Sequence, residues 1–256
     1  MPAAPKTRWM PSLARRRLRL LLGTLALLAL LGACGAWLRT SSLVRVDDVA
    51  VSGIDGRQAA EIRDALTVAG LDMTTLAVDE DALRDAVSAY SIVRGLRTST
   101  DLPHRLRITV DVYDPVAALE APGALTAAAA DGTLLRGTAA KDLPVVGVKT
   151  LPAGARVRDT RTLHAVALLG AAPPPLRRRV TRVYRDRHGL AATVAKGPKL
   201  YFGGGRRLRA KWYAASQVLA NSGSQGASYV DVRVPERPVA GGFQPRPEKE
   251  STLTLG

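Results

Sequence analysis

The chain has 256 residues, enough for one large domain or two small ones. Its formal net charge is +15, and only 4% of its residues are aromatic, so its core must be built from Val, Leu, Ile and Ala. Its single cysteine, Cys34, lies in an apolar N-terminal stretch. An intrachain disulfide is therefore excluded, and the remainder must be held together by packing.

The apolar stretch, Leu20 to Leu38, contains no charged residue. As a helix it would be roughly 28 Å long, close to the roughly 30 Å hydrocarbon core of a bilayer. Six basic residues precede it without an acidic one, and Arg39 follows. By the positive-inside rule, the sequence predicts a transmembrane helix with a cytoplasmic N-terminus and an exported C-terminal region.

Three interpretations of this stretch remain open. It resembles a retained signal anchor, which is the first choice, or a signal peptide cleaved near Ala33 to Ala36. Alternatively, Leu31-Gly32-Ala33-Cys34 resembles a bacterial lipobox, in which Cys34 would carry the lipid. All three interpretations export the residues that follow.

The exported part has 30 basic and 22 acidic residues, a net charge of +8, after removal of the seven basic residues beside the stretch. Export argues against nucleic acid as the partner. Anionic lipid headgroups or cell-wall polymers would be available instead. A solubilising role for the charge is favoured over a specific anion site.

Hydrophobic periodicity predicts a β-α-α-β-β unit directly after the stretch. Its predicted elements are a strand at 44–51, a helix at 58–69 followed by Gly70, a helix with Asp79 as N-cap and Leu83, Ala86, Val87 and Tyr90 as its buried stripe, and strands at 92–98 and 105–113.

A β-rich unit with two helices is predicted to follow. Its elements are a hairpin around Asp131-Gly132, a short edge segment at 143–147, a helix at 162–169 stopped by Pro173 to Pro175, a hairpin at 180–194, a strand at 200–202, a helix at 208–219 and a final strand at 228–234. After Ala240 the composition predicts a disordered tail.

Patterns typical of enzymes are absent from the sequence. The three histidines are scattered without metal-ligand spacing, no serine lies in a G-x-S-x-G motif, and the exported part has no cysteine. We therefore expect no catalytic residue, metal or cofactor. The glycines at 203–205 and the arginines at 177–179 are interpreted as a turn and a solvated charge run rather than anion sites, and Asp47-Asp48 lacks evident co-ligands for a cation.

Several short motifs, in this order, resemble the FtsQ/DivIB family of bacterial cell-division proteins. The matching segments are Val49 to Gly53, Asp101 to Pro103, Leu106 to Val110, Asp114 to Ala117, Asp131-Gly132, Leu143-Pro144, Lys211 and Tyr229 to Arg233. Tyr113-Asp114 replaces the Glu-Arg pair that is usual in the family.

The resemblance implies an α+β chain with an N-terminal transmembrane helix, a POTRA module and a β domain. The implied parts are a basic cytoplasmic tail at 1–19, the transmembrane helix at 20–38, the POTRA domain at 44–113, the β domain at 114–240 and a disordered tail at 241–256. It also implies a non-catalytic divisome scaffold at the septum that helps to control peptidoglycan synthesis. Its partners would be FtsB/DivIC-like and FtsL-like coiled-coil proteins. The alternative is an exported lipoprotein or envelope-binding domain that uses its basic surface.

In the family, the partner adds a strand to the last strand of the β domain. Pro235 has no N–H, so we expect it to face an open edge, with Asp231 and Arg233 directed outward and Val232 and Val234 bonded inward. The implied partner-binding residues are Tyr229, Asp231, Arg233, Val234 and Glu236.

Overall fold

The computed structural model describes residues 12–39 and 41–243. Residues 1–11 of the predicted cytoplasmic tail and residues 244–256 of the predicted disordered tail lie outside these ranges. Within the described ranges the chain is a mixed α+β protein with six α-helices and twelve strands. They belong to two compact units. The first unit comprises the residues up to 87 together with 95–111, and the second comprises 88–94 together with the residues from 112 onward.

The α-helices are α1 (Ser12–Arg39), α2 (Ala59–Leu71), α3 (Glu80–Ala86), α4 (Thr160–Gly170), α5 (Pro174–Arg177) and α6 (Leu208–Ala220). The strands are β1 (Asp48–Ser52), β2 (Val93–Asp101), β3 (Arg105–Val112), β4 (Pro115–Ala121), β5 (Ala124–Ala129), β6 (Leu134–Leu135), β7 (Val145–Gly147), β8 (Val180–Asp186), β9 (Gly189–Val194), β10 (Lys199–Gly203), β11 (Tyr229–Asp231) and β12 (Val239–Gly241).

The α1 helix covers the apolar stretch identified in the sequence. Over residues 12–39 and 41–243, no helix meets both the length and the apolarity that crossing a membrane requires. The predicted transmembrane helix at 20–38 is therefore not confirmed.

In the first unit, the predicted order of strands and helices is present, and β3 lies between β1 and β2. β1 and β3 are parallel, with Val51 opposite Ile108. The core comes from one face of α2, the α3 residue Leu83 and alternate residues of β3; its fully buried members include Ile62, Leu66, Leu106 and Ile108. Asp79 caps α3 as predicted, because its carboxylate accepts hydrogen bonds from the N–H groups of Asp81 and Ala82.

Three boundaries in the first unit differ from the prediction. Regular pairing of the first strand begins at Asp48 rather than at Val44. α3 ends at Ala86, so Val87 and Tyr90 lie beyond it. Gly70 belongs to α2 instead of following it, since a Cβ there would lie 3.1 Å from Val49 and 3.2 Å from Leu106. The glycine allows the helix to approach the sheet closely.

The second unit is built on a nine-stranded sheet in the order β12-β11-β10-β9-β8-β7-β4-β5-β6. β7 is parallel to both of its neighbours, β4 and β8, and β10 is parallel to β11, whereas the other pairs are antiparallel. α4 and α6 contribute Leu168, Leu169 and Trp212 to the main core, which also contains Phe202. A smaller cluster around Ala118 and Leu135 forms a separate core.

Three features of the second unit were not predicted. β4 was missed, because its residues 116–119 are buried in succession and do not alternate with polar residues. The segment predicted as an edge, at 143–147, contains β7, which lies inside the sheet between β4 and β8. The prolines that end the preceding helix also begin α5, with Pro174 as its first residue.

Candidate partner-binding edge

The predicted final strand, 228–234, contains β11, which is only three residues long. It runs parallel to its neighbour β10. The Val232 N–H donates to the carbonyl of Tyr201 at 2.9 Å, which confirms that Val232 bonds inward. Because alternate residues direct their backbone groups to opposite sides, Tyr229 and Asp231 direct theirs away from β10.

The outward side of β11 is not open. β12 pairs with it, placing Tyr229 opposite Gly241 and Asp231 opposite Val239. The Arg233 N–H donates instead to the Asp231 carboxylate at 3.0 Å. The prediction that β11 offers its own backbone to a partner is therefore wrong. Among residues 41–243, β12 is the outermost strand at this end of the sheet.

Pro235 accounts for this difference, because it helps to reverse the chain. The Val234 carbonyl accepts a hydrogen bond from the Arg237 N–H at 3.0 Å, which closes a four-residue turn. Pro235 is the second residue of that turn, where its fixed φ is favourable. The chain then returns along β11 as β12.

The free side of β12 follows from its pairing. The Gly241 carbonyl accepts a hydrogen bond from the Ser228 N–H at 2.9 Å, so Gly241 faces β11. By alternation, the N–H and carbonyl of Ala240 face the open edge. Pro238 has no N–H to offer there, which limits how far a regular ladder can extend.

Two of the predicted partner-binding residues, Asp231 and Arg233, form an ion pair. Nη2 of Arg233 lies 2.6 Å from Oδ2 of Asp231. Burial raises the pKa of Asp231, but the hydrogen bonds and charge of Arg233 outweigh this influence and lower it overall. The hydrogen bond to Asp231 in turn raises the pKa of Arg233.

A second ion pair joins Glu236, in the turn, to Arg207. Arg207 has a left-handed backbone conformation, with φ of 56°, immediately before α6. The hydrogen bond from Arg207 lowers the pKa of Glu236. The β11–β12 turn is thereby attached to the start of α6.

One helical turn after Arg207, α6 carries a buried lysine. Lys211 in α6 is only 6% exposed, and its Nζ donates to the carbonyls of Phe202 at 2.8 Å and Gly204 at 2.9 Å. Burial lowers the pKa of Lys211, and the charge of Arg207 lowers it further. These hydrogen bonds connect α6 to the end of β10, so the glycine segment predicted as a turn is bonded within the chain.

Tyr229, another predicted contact residue, packs within the aromatic face of this sheet. Its ring centroid lies 5.9 Å from that of Tyr201, which in turn lies 4.9 Å from the His188 ring. A Cβ at Gly241 would collide with the Tyr229 ring, so the opposing glycine permits this placement.

The edge exposes apolar side chains beside these charges. Val234 is 56% exposed, Val239 53% and Phe243 50%. The structure thus brings Tyr229, Asp231, Arg233, Val234 and Glu236 into one region around the β11–β12 turn. Sequence reasoning missed Val239, Phe243 and Arg207. A signal for the turn was present, because Pro235 and Pro238 flank two charged residues, Glu236 and Arg237.

In the part of the chain that the structure describes, no three His, Cys, Asp or Glu side chains form a group suited to hold a metal ion.

Comparison with known proteins reveals related sequences. The chain is 29% identical over 238 residues to the cell division protein FtsQ of Streptomyces bingchenggensis (strain BCW-1), covering 88% of this chain and 89% of the relative. It is 27% identical over 253 residues to the cell division protein FtsQ of Streptomyces collinus, covering 93% and 92%. The chain resembles FtsQ along most of its length. This similarity confirms the predicted resemblance to the FtsQ/DivIB family.

No protein-family model matches the sequence. Among solved structures, the major extracytoplasmic domain of the trans isomer of the cell division protein DivIB from Geobacillus stearothermophilus is 13% identical. The match covers 35% of this chain and 76% of that domain, with a TM-score of 0.27. A score this low does not establish a shared fold.

Proposed function

We propose that this chain is a non-catalytic scaffold of the bacterial division machinery. The similarity over about nine-tenths of its length to two proteins named cell division protein FtsQ supports a role in cell division. The scaffold links early and late division proteins and helps to control septal peptidoglycan synthesis. In this proposal the first unit is the POTRA module and the second unit is the FtsQ-type β domain.

The partner-binding surface of the proposal is the outer edge of β12. The observation that carries it is the position of β12 as the last strand of a nine-stranded sheet, with Ala240 directing its backbone groups outward. Main-chain hydrogen bonds of an added strand would supply affinity, and side-chain contacts would supply specificity. FtsB/DivIC-like and FtsL-like coiled-coil proteins are the proposed partners.

The five residues inferred from the sequence either contact the partner or support those contacts in this proposal. Val234 is exposed and offers apolar area, and the half-exposed guanidinium of Arg233 can meet an acidic partner. Asp231 and Glu236 hold Arg233 and Arg207 in place. Tyr229 supports the edge from its aromatic face.

The proposed location is the cell membrane at the division septum, with the N-terminus in the cytoplasm and both units outside. The uncharged stretch at 20–38 and the basic residues before it support this location.

Imaging tests the proposed role in dividing cells. A fluorescent protein fused before Met1 should concentrate at the division site, and the fusion should restore division when the native protein is depleted. Uniform distribution of a fusion that restores normal division would contradict the septal role. Normal division of fully depleted cells would contradict the scaffold itself.

A further inference from the structure

We propose a second binding site in the β domain, a cleft between β7 and β8 that takes an acidic peptide segment with an apolar side chain. This inference goes beyond the proposed function, since the cleft and the β12 edge are formed by different strands. The cavity has a volume of about 520 Å³. That volume is within the range of sites that bind small ligands or parts of peptides.

The cleft exists because two parallel strands diverge. β7 and β8 pair only through Val145 with Arg182 and Val146 with Val183, whereas β8 continues to Asp186. After Val146 the chain bonds on the other side, where the Val148 N–H donates to the carbonyl of Glu120 at 2.8 Å. An opening is left between residues 147–150 and the end of β8.

The floor of the cleft is apolar. It consists of buried side chains from β7, β8, β9, α4 and the segment before α4: Val146, Val157, Ala165, Val183 and Leu190. A large apolar side chain that contacts these residues would be removed from water, and this burial favours binding by about 25 cal/mol for each Å² of apolar surface. The floor therefore selects a ligand with an apolar group.

The rim of the cleft is basic. Lys149, Arg161 and Arg185 line it and are exposed. Among residues 12–39 and 41–243, none of these three side chains has an acidic partner within ion-pair distance. Other surface arginines nearby are paired, as Arg182 is with Glu120 at 2.9 Å.

Among the residues that the structure describes, Asp159 is the one acidic residue that lines the cleft. Its carboxylate caps α4, accepting hydrogen bonds from the N–H of Thr162 at 2.8 Å and from the Thr162 hydroxyl at 2.7 Å. The rim thus carries three positive charges against one negative charge that is already hydrogen bonded. Charge complementarity favours an acidic segment, and the apolar floor favours a peptide over a simple polyanion.

Peptide binding to the full chain in mild detergent tests this site. The probe is a fluorescein-labelled peptide with the sequence Glu-Asp-Leu-Glu-Asp, and its affinity is measured by fluorescence anisotropy. We expect saturable binding that weakens as salt rises. Replacing the peptide's leucine by glycine should weaken binding about tenfold, and replacing its acids by the corresponding amides should do the same.

Variants locate the binding. Lys149→Glu combined with Arg185→Glu should weaken the affinity for the leucine peptide by at least about tenfold. The matched control is Lys141→Glu combined with Arg178→Glu, which makes the same charge change at exposed residues away from the cleft. It should alter affinity by less than about threefold. Both doubly substituted chains should retain the melting temperature of the unaltered chain.

Three results would overturn the proposal. They are failure of the unaltered chain to bind the leucine peptide, equal weakening by the two double variants, and equal affinity for the leucine and glycine peptides. The second would mean general charge attraction, and the third would mean a polyanion surface. Ala240→Pro at the β12 edge should leave peptide binding unchanged, so failure here is distinguishable from failure of the proposed scaffold.

Discussion

Arg233 and Asp231 are two residues apart in the chain and form an ion pair at the end of β11, with Nη2 and Oδ2 separated by 2.6 Å. The Arg233 N–H donates to the same carboxylate at 3.0 Å. The pair holds the chain at the point where β11 ends and the turn toward β12 begins.

Substituting Arg233 should change how stability depends on pH. The pKa of Asp231 is lowered in the folded chain, so its contribution to stability is present above the unfolded value of 3.8 and is lost as pH falls through the folded pKa. Arg233→Ala should lower the melting temperature at neutral pH, and the difference from the unaltered chain should shrink as pH falls below that value. Melting curves followed by circular dichroism measure this.

The control for this experiment is Arg237→Ala. Arg237 lies in the same turn, and the structure assigns it no ion pair within residues 41–243. Its substitution should shift the melting temperature by the same amount at every pH. An Arg233→Ala effect that stays constant down to pH 3 would contradict the role given to the pair.

Lys211→Met should destabilise the second unit. Methionine can replace the packed stem, but the carbonyls of Phe202 and Gly204 lose their donor. An unsatisfied buried acceptor costs about 1–3 kcal/mol, so a loss of about 2 kcal/mol in the free energy of unfolding is expected. Urea unfolding followed by tryptophan fluorescence measures this loss, since the ring centroids of Trp212 and Phe202 lie 4.6 Å apart in the core.

Lys141→Met is the matched control, because Lys141 is exposed. It should change the free energy of unfolding by less than about 0.5 kcal/mol. Equal stability of the two methionine variants would show that the buried ammonium group does not support the fold.

In the first unit, Leu66→Ala should open the core, whereas Val68→Ala on the same helix should not. Leu66 is fully buried and Val68 is 66% exposed. The first substitution should cost about 2–5 kcal/mol, and the second less than about 0.5 kcal/mol. Hydrogen exchange of the α2 amides should accelerate only for Leu66→Ala. Equal exchange in the two variants would mean that the assigned buried face of α2 is wrong.

Reporter fusions test the membrane topology inferred from the sequence. A reporter that is active only outside the cytoplasm, fused after Gly256, should be active, because basic residues precede the apolar stretch. Removal of residues 20–38 should abolish that activity. Activity of a strictly cytoplasmic reporter at the same position would contradict the proposed topology.

Some of these structural features could be predicted from sequence periodicity, and others could not. β3 alternates apolar and polar residues, which predicted a strand at 105–113, and its residues Leu106, Ile108 and Val110 are buried. β4 has no such alternation because both of its faces are covered: Ala117 and Leu119 belong to the main core and Ala118 to the smaller cluster. Strands buried on both faces lose the pattern that sequence analysis depends on.

The candidate edge shows a different limit. Val232 was correctly predicted to bond inward. Strand geometry alone then directs the backbone groups of its neighbour Asp231 to the opposite side. What lies on the other side of Asp231 depends on the turn at Val234 to Arg237, which returns the chain as β12. Three residues, Val239 to Gly241, are too few to show periodicity, so the covering strand was not predicted.

The cleft between β7 and β8 could not be found from sequence, since it arises from the divergence of two strands distant in the chain. Lys149, Arg161 and Arg185 come from three separate segments and form no local motif. They come together because α4 packs against β4 and β7 of the nine-stranded sheet.

The measurement that tests the central claim most directly is capture of the FtsB/DivIC-like partner by the full chain. Ala240→Pro removes an N–H that faces the open edge, whereas Ala240→Ser keeps it, so the two variants differ in their capacity for strand addition. If β12 is the partner-binding edge, folded Ala240→Pro should capture the partner at least about tenfold less than the unaltered chain, and Ala240→Ser should capture it normally. Capture at the unaltered level by a folded Ala240→Pro chain would contradict the account.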